Sequence, residues 1–353
     1  MFLIDDKILE RERNEMGRSP VTAVTHPVIF VVLAVLTATS FYGLIGKKPH
    51  AADHRGQGNQ INAVPSPENE TFPDRSAGMR VILLGTGTPV PDPLRSGPAT
   101  AVLAGGQAYL VDCGPGIVRR AAAAFHMGIS ELDMRLLTRA FITHLHSDHT
   151  AGYADLILTP AVVARTEPLS VYGPPGIKDM TENILAAYKE DLAVRAKGEN
   201  RGRMRGYKVE VHEVTPGIVY EDQNVKVTAF AVSHGVWKYA YGYRFDTPHR
   251  SIVISGDTSS AETVINACNG CDVLVHEVYC KSGFDQGPRS WQHYHATHHT
   301  SSVELAELAS RARPKLLILN HQLFFGCPED KLLSEIRTLY KGRVVSGKDL
   351  EVY

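Results

Sequence analysis

Four metal-donor side chains fall within six residues: His144, His146, Asp148 and His149, in the run Phe141-Ile142-Thr143-His144-Leu145-His146-Ser147-Asp148-His149-Thr150-Ala151-Gly152. Neutral imidazole and carboxylate are ordinary nitrogen and oxygen ligands of zinc. In a core each would need its own hydrogen-bond partner, so a cluster this dense reads as a metal site. It follows an apolar, β-like stretch, Arg139–Thr143, which places the donors at a strand end. Later strand candidates are followed by donors in the same way. His234 follows Val225–Val232, Asp257 follows Ile252–Ser255, and His321 follows Leu316–Asn320. Singly, a His after a strand is an ordinary surface residue and an Asp an ordinary turn cap. Together the seven donors suffice for two metal ions. Two adjacent zinc ions lower the pKa of a bridging water, so that hydroxide exists at neutral pH. They also stabilise charge developing on a bound ester oxygen. Asp257 suits the bridging position, because its two oxygens can reach both ions. The same donor set also accepts Mn2+ or Fe2+.

Those donors need a rigid frame, and the pattern of elements supplies one. Met79–Leu84 reads as a short strand ending in Gly85-Thr86-Gly87-Thr88-Pro89. Ala99–Ala104 and Ala108–Asp112 flank Gly105-Gly106, a hairpin signal. Gly116–Met127 is Ala-rich and helical, Leu169–Tyr172 is a strand, and a helix is expected from Ile177 to Val194. Strands resume at Lys208–Val214, Ile218–Glu221, Val225–Val232, Tyr241–Phe245, Ser251–Ser255 and Asp272–His276. A helix over Ser301–Ala312, a strand over Lys315–Asn320 and a helix over Glu329–Leu339 follow. Two blocks of strands then helices point to an α+β fold of two similar halves, sheet packed on sheet with helices outside.

Composition excludes some classes. The chain has 353 residues, 43 % apolar and 21 % charged, which is ordinary for a globular protein. Its formal net charge of -1 provides no global field for nucleic acid. Five cysteines are few and odd in number, which argues against a disulfide scaffold. Cys268-Asn269-Gly270-Cys271 lacks a second CxxC and reads as structural. Residues 195–208, RAKGENRGRMRGYK, read as a solvated basic loop, with polyanion binding as the alternative. His293 and His295 are expected in a solvent-facing loop.

The N-terminal part divides into a segment 1–18, an apolar segment 19–46 and a polar linker 47–78, ahead of a catalytic domain over 79–353. Ser19 to Gly46 contains no Asp, Glu, Lys or Arg, and Val28–Ile45 is almost wholly apolar. About 20 such residues span a bilayer. The reading is a single-pass transmembrane anchor with the catalytic domain outside the cytoplasm, periplasmic or extracellular. Secretion after signal cleavage is the alternative. Arg11, Arg13 and Arg18 before the run and Lys47, Lys48 and Arg55 after it give only a slight lean to that orientation.

His144-Leu145-His146-Ser147-Asp148-His149 resembles the HxHxDH signature of the metallo-β-lactamase superfamily. VILLGTGTP, VDCG, VYGPPGI, SHGVWKYAYGYRF, VISGDTS, DVLVHEV, HHTSSVELAELA and LILNHQ resemble its tRNase Z / arylsulfatase-type branch, in order. The resemblance implies a four-layer αββα fold. It implies one zinc on His144, His146 and His234, a second on Asp148, His149 and His321, and Asp257 between them. Asp148 would also orient the attacking hydroxide. It further implies a dyad that protonates the leaving oxygen, carried onto Glu277 and His298, with His299 standing where the family often has Ser. A His oriented by a carboxylate is a sound acid for an alkoxide leaving group.

The tRNA-processing members carry a long arm between GYRx and SGDT. Here only nine residues, DTPHRSIVI, separate Phe245 from Ser255. With the neutral charge and the expected anchor, this favours a small phosphodiester, sulfate ester or related ester as substrate, and RNA is not favoured. The alternative is a 3′-tRNA processing endoribonuclease. Lactonase or β-lactamase activity and a non-catalytic metal-binding scaffold rank lower. Branch members are often dimers, so a homodimer is compatible with the resemblance.

Overall fold

The computed structural model describes residues 78–198 and 200–353, all within one compact unit, Glu70–Tyr353. The expected segments 1–18 and 19–46 and all but the last residue of the linker 47–78 lie outside the described residues. Among the described residues, no helix is long and apolar enough to cross a membrane.

Two sheets form the frame. The first contains β1 (Arg80–Gly85), β2 (Ala99–Ala104), β3 (Gln107–Val111), β4 (Arg139–Phe141), β5 (Leu169–Gly173) and β6 (Val209–Glu213), in that spatial order. The second contains β7 (Gly217–Glu221), β8 (Lys226–Ala231), β9 (Tyr241–Asp246), β10 (Ser251–Ile254), β11 (Val273–Tyr279), β12 (Leu316–Leu323) and β13 (Val344–Ser346), also adjacent in sequence order. In each, the early strands pair antiparallel and the late ones parallel. The C-terminal residues return to β1, where Val81 and Tyr353 exchange backbone hydrogen bonds of 3.0 and 2.8 Å.

Period-two alternation creates the layers. Val81, Leu83, Val102, Tyr109 and Phe141 face Tyr243, Phe245, Ile252, Ile254, Val273 and Ile318 between the sheets. Their neighbours Ile82, Leu84, Ala101 and Leu103 point the other way, onto α1 (Ile117–His126), α3 (Tyr153–Val163) and α4 (Ile177–Ala187). On the second sheet, Val253, Leu274, Leu317 and Leu319 face α6 (Glu262–Cys268), α9 (Ser302–Ala312) and α10 (Glu329–Leu339). The result is the expected α+β, four-layer αββα arrangement. The remaining helices are α2 (Ser147–Thr150), α5 (Lys189–Lys197), α7 (Lys281–Phe284) and α8 (Arg289–His298).

Several local expectations differ. The single helix expected over Ile177–Val194 breaks at Tyr188, giving α4 and α5. The basic stretch 195–208 is not one loop: it holds the end of α5 and a 3-10 turn over Met204–Tyr207. Helix α3 gave no amphipathic signal because both of its faces are largely apolar, and it carries Pro160 internally. His293 and His295 lie on α8 rather than in a loop, and His295 packs on Trp291 at 4.4 Å.

The cysteines agree with expectation at the CxxC and add one pairing that was not expected. Cys268 pairs with Cys271 at the end of α6, a structural use of the CxxC. A second disulfide joins Cys280 to Cys327, 47 residues apart in sequence but brought together by the parallel neighbours β11 and β12.

One buried cation fixes the segment that will carry the metal donors. Arg165, just past α3, is fully buried. It donates to the carbonyls of Leu137 (2.9 Å), Leu156 (3.0 Å), Ile157 (2.7 Å) and Gly206 (3.0 Å). It thus ties the first half of α3 to the approach to β4 and to the 3-10 turn. Burial lowers its pKa to about 10. Replacing Arg165 by Ala orphans these carbonyls, and the expected loss is about 3 kcal/mol of unfolding free energy, read as a lower urea midpoint at unchanged slope.

Candidate metal centre

The first sheet supplies one half of the site. After β4 the chain runs through His144 and His146 into α2, and α3 follows at once. Nε2 of His144 and Nε2 of His234 each lie 3.0 Å from Nδ1 of His146. The backing contacts set these nitrogens. His234 donates from Nδ1 to the His298 carbonyl at 2.7 Å, which leaves a lone pair on its Nε2. Thr143 Oγ1 lies 3.0 Å from His144 Nδ1. The Trp237 indole N–H lies 2.6 Å from His146 Nε2 and leaves Nδ1 facing inward. Burial pulls His144 well below the usual histidine pKa, and it pulls His234 down to about 3. Three neutral imidazoles therefore point at one spot, as metal ligation requires.

The second half draws on both sheets. His149 donates from Nδ1 to Asp112 Oδ2 at 2.8 Å, so its Nε2 carries the lone pair. That buried nitrogen has no hydrogen-bond partner and stands 3.5 Å from Asp148 Oδ2 and 3.4 Å from Asp257 Oδ1. His321 Nε2 lies 3.2 Å from Asp148 Oδ2 and 3.4 Å from Asp257 Oδ2. Burial alone would disfavour the charged form of His149, but Asp257 and Asp112 outweigh it and hold its pKa well above the usual value, so these carboxylates draw a positive charge to Nε2 that a bound cation would supply in place of the proton. His321 and His149 hold Asp257 well below the carboxylate range despite its burial. These groups all lie within reach of a shared cation, and Asp257 also groups with His144 and His149 and with His234 and His299. The donor set fits divalent metal: orphaned lone pairs and buried carboxylates converge, and positive charge is what they lack.

The backbone is shaped for this. His321 sits inside β12, not after it, at a register shift against Glu277/Val278 and with φ 43. A bulge of this kind re-aims a side chain beside a site. Gly256 precedes Asp257 with φ 62, and a Cβ there would lie 2.8 Å from the Tyr241 carbonyl. Asp112 holds the whole turn, accepting from Thr143 N at 2.8 Å as well as from His149. The sequence marked Asp112 only as part of VDCG.

The structure brings together all seven expected donors. It does not bring His298 to Glu277. His298 ends α8, its ring stacked on Tyr294 at 4.0 Å and its Nδ1 donating to the Tyr294 carbonyl at 2.7 Å. The neighbouring His299, in extended conformation, places Nδ1 3.4 Å from Glu277 Oε2 and 3.9 Å from Asp257 Oδ2. Glu277 Oε1 is fixed by the Thr300 backbone N–H at 2.8 Å. Burial, reinforced by Asp257, pushes the Glu277 carboxyl well up, and burial pulls His299 down to about 4. The signal for this register was Ser301, whose capping box with Glu304 fixes the start of α9 two residues after His299.

Face-to-face sheets with donors from strand ends and a bulge make a divalent-metal site, and with the comparisons that follow they define a metal-dependent hydrolase acting on ester bonds. Residues 107–322 match the family model described as a beta-lactamase superfamily domain. The chain belongs to the metallo-β-lactamase superfamily, in its tRNase Z branch. It is 34 % identical over 277 residues to a protein named Ribonuclease Z from Mycobacterium bovis, covering 77 % of this chain and 96 % of that one. It is 38 % identical over 247 residues to a Ribonuclease Z from Mycobacterium sp. strain KMS, covering 69 % and 84 %. Among solved structures, the short form of human tRNase Z covers 78 % of this chain and 98 % of its own, with TM-score 0.58 and 24 % identity. A metallo-β-lactamase fold protein from Bacillus subtilis covers 78 % and 100 %, with TM-score 0.59 and 21 % identity.

These findings overturn the transmembrane anchor and the placement outside the cytoplasm. That expectation rested on the hydropathy of Val28–Ile45, which lies outside the described residues, and the disfavouring of RNA rested in part on it. The relatives carry the name Ribonuclease Z along nearly their whole length, and no described helix can cross a membrane.

Removing the Asp112 carboxylate should loosen the second donor set first. For Asp112→Ala we expect metal affinity there to fall about 10–100-fold, while His144, His146 and His234 keep their ion. Metal per chain after dialysis against a weak chelator checks this; equal loss from both sets would contradict it.

Proposed function

We propose that the chain is a dizinc phosphodiesterase of ribonuclease Z type that hydrolyses a phosphodiester bond of RNA near its 3′ end, as in 3′-tRNA processing. The observation that carries the reading is Asp257, within reach of both donor sets and of His299. The RNA part is supported by the relatives named Ribonuclease Z. In this reading His144, His146 and His234 would hold one ion and Asp148, His149 and His321 the other, with Asp257 within reach of both sets.

Bound there, two ions would supply an activated water and draw charge from the phosphoryl oxygens. Asp148 orients the attacking water through the oxygen not given to His321. His299 presents Nε2–H to the leaving ribose oxygen and gives up that proton, while the Glu277 carboxyl, kept protonated by its burial, passes its own proton to Nδ1, so that the ring ends neutral and the charge rests on the Glu277 carboxylate. Trp237 keeps His146 from turning. His298 takes no proton; its carbonyl fixes His234.

A second reading, hydrolysis of small phosphodiesters, is favoured by one observation. β9 and β10 are joined by the short turn Thr247–Arg250, so no arm for gripping tRNA stands there. A comparison of 3′-extended pre-tRNA, bis(p-nitrophenyl) phosphate and an aryl sulfate separates the readings. Position-specific tRNA cleavage supports the first; turnover of the small diester alone supports the second.

The leaving-group acid has its own test. His299→Ala should keep its metal and lose about 10²–10⁴-fold in kcat on RNA. The loss should be much smaller on bis(p-nitrophenyl) phosphate, whose leaving group needs no proton. His298→Ala should show no such dependence on the leaving group. A His299→Ala variant equally slow on both substrates would remove His299 from the acid role.

A further inference from the structure

The groove beside Asp148 runs round the loop that follows β1. One stretch is lined by Thr88, Val90, Asp92 and Arg95 with Ser147 and Asp148. The next is lined by the same four residues with Leu323, Phe324 and Phe325. Phe324 thus forms the far wall, with the Arg95 guanidinium 5.4 Å from its ring centroid. An aromatic wall is a surface on which a nucleobase stacks, and Arg95, paired with Glu329 at 3.6 Å, backs that wall.

The segment bearing that wall is not held by a sheet. It leaves β12 two residues after His321 and turns through Phe325 (φ 50) and Gly326 (φ 82). A left-handed Phe is unfavourable and persists only where its surroundings fix it. One fixture is packing, with the Phe325 ring 4.3 Å from Trp291. Another is the turn bond from Cys327 N to the Phe324 carbonyl, 2.9 Å. The covalent fixture is the disulfide from Cys327 to Cys280, at the end of β11. Cys280 is itself anchored: its N–H donates to the Leu323 carbonyl at 3.0 Å, and Glu335 receives the N–H groups of Lys281 and Ser282 at 3.0 and 3.1 Å. Cys280 is fully buried, whereas Cys327 is partly exposed, which makes Cys327 the half of the disulfide nearer solvent.

We propose that the Cys280–Cys327 disulfide positions the Phe324 wall of the substrate groove, so that its reduction lowers substrate affinity and leaves the metal centre intact. Both cysteines are positioning residues; neither touches the reacting atoms. A phosphine attacks the Cys327 sulfur and expels the Cys280 thiolate. Water then supplies the oxygen of the phosphine oxide and the protons of two thiols. A small dithiol gives the same product by exchange and ends as its own disulfide. The identity of the groove's occupant rests on the RNA reading above; the clamp does not.

The test treats the full chain with tris(2-carboxyethyl)phosphine and uses two double variants, Cys280→Ala with Cys327→Ala and, as control, Cys268→Ala with Cys271→Ala. We expect reduction of the unmodified protein and of the control to raise KM for 3′-extended RNA about tenfold, the size of one lost base–aromatic stack. kcat and metal content should not change. The Cys280/Cys327 variant should start at the raised KM and ignore the phosphine. Hydrogen exchange should quicken at Phe325–Cys327 on reduction while β12 stays protected, whatever the substrate. Unchanged KM and exchange would overturn the proposal, as would loss of metal together with kcat. Should the Cys280/Cys327 variant not fold, the reduced unmodified protein decides. Absence of RNA turnover by the oxidised enzyme would count against the function proposed above, and exchange would still decide the clamp.

Discussion

Asp257 keeps a negative charge where almost no water reaches it, and much of the surrounding architecture answers that fact. A buried carboxylate is costly unless charge and hydrogen bonds surround it. Here His149, His321 and His299 stand within 3.4, 3.4 and 3.9 Å of its oxygens. Each is delivered by a different element: helix α2, the bulge in β12 and the residue after α8. None could shift far without exposing the carboxylate or leaving it alone. Burial, and after it the same charge, raises Glu277, so Asp257 bears on both the metal-binding and the proton-transfer groups. The two sheets pack as they do around this site because the apolar layer between them ends where these polar groups begin.

That arrangement separates holding from reacting. His144, His149 and His234 are each fixed through the ring nitrogen that faces away from the site, by Thr143, Asp112 and the His298 carbonyl. Rotamer freedom is therefore removed by groups that never meet substrate. This division explains a site assembled from short loops that is still well ordered: the loops carry donors, but buried backing contacts aim them.

Much of this was legible in the residues, for physical reasons. Strands buried on two faces write apolar runs, and donors stood where those runs stopped, so the layer order and the seven donors could be read directly. The dyad could not. His298 and His299 are identical letters one position apart; one closes a helix and the other begins an extended segment, and only the cap at Ser301 sets which faces inward. Helix α3 escaped notice because it is apolar on both faces and contains a proline, and α8 because its histidines read as polar loop. The reading of residues 19–46 as an anchor failed differently. Hydropathy describes a segment by itself, whereas the relatives describe the folded body.

The bulge at His321 lies in one of the last strands of the chain, and its partner Asp148 lies 173 residues earlier. Loop closure over such a distance is slow and comes late. The second donor set therefore cannot exist on a partly synthesised or partly folded chain, however complete the first sheet is. A cation shared by the two donor sets would thus find all its ligands only on the finished chain.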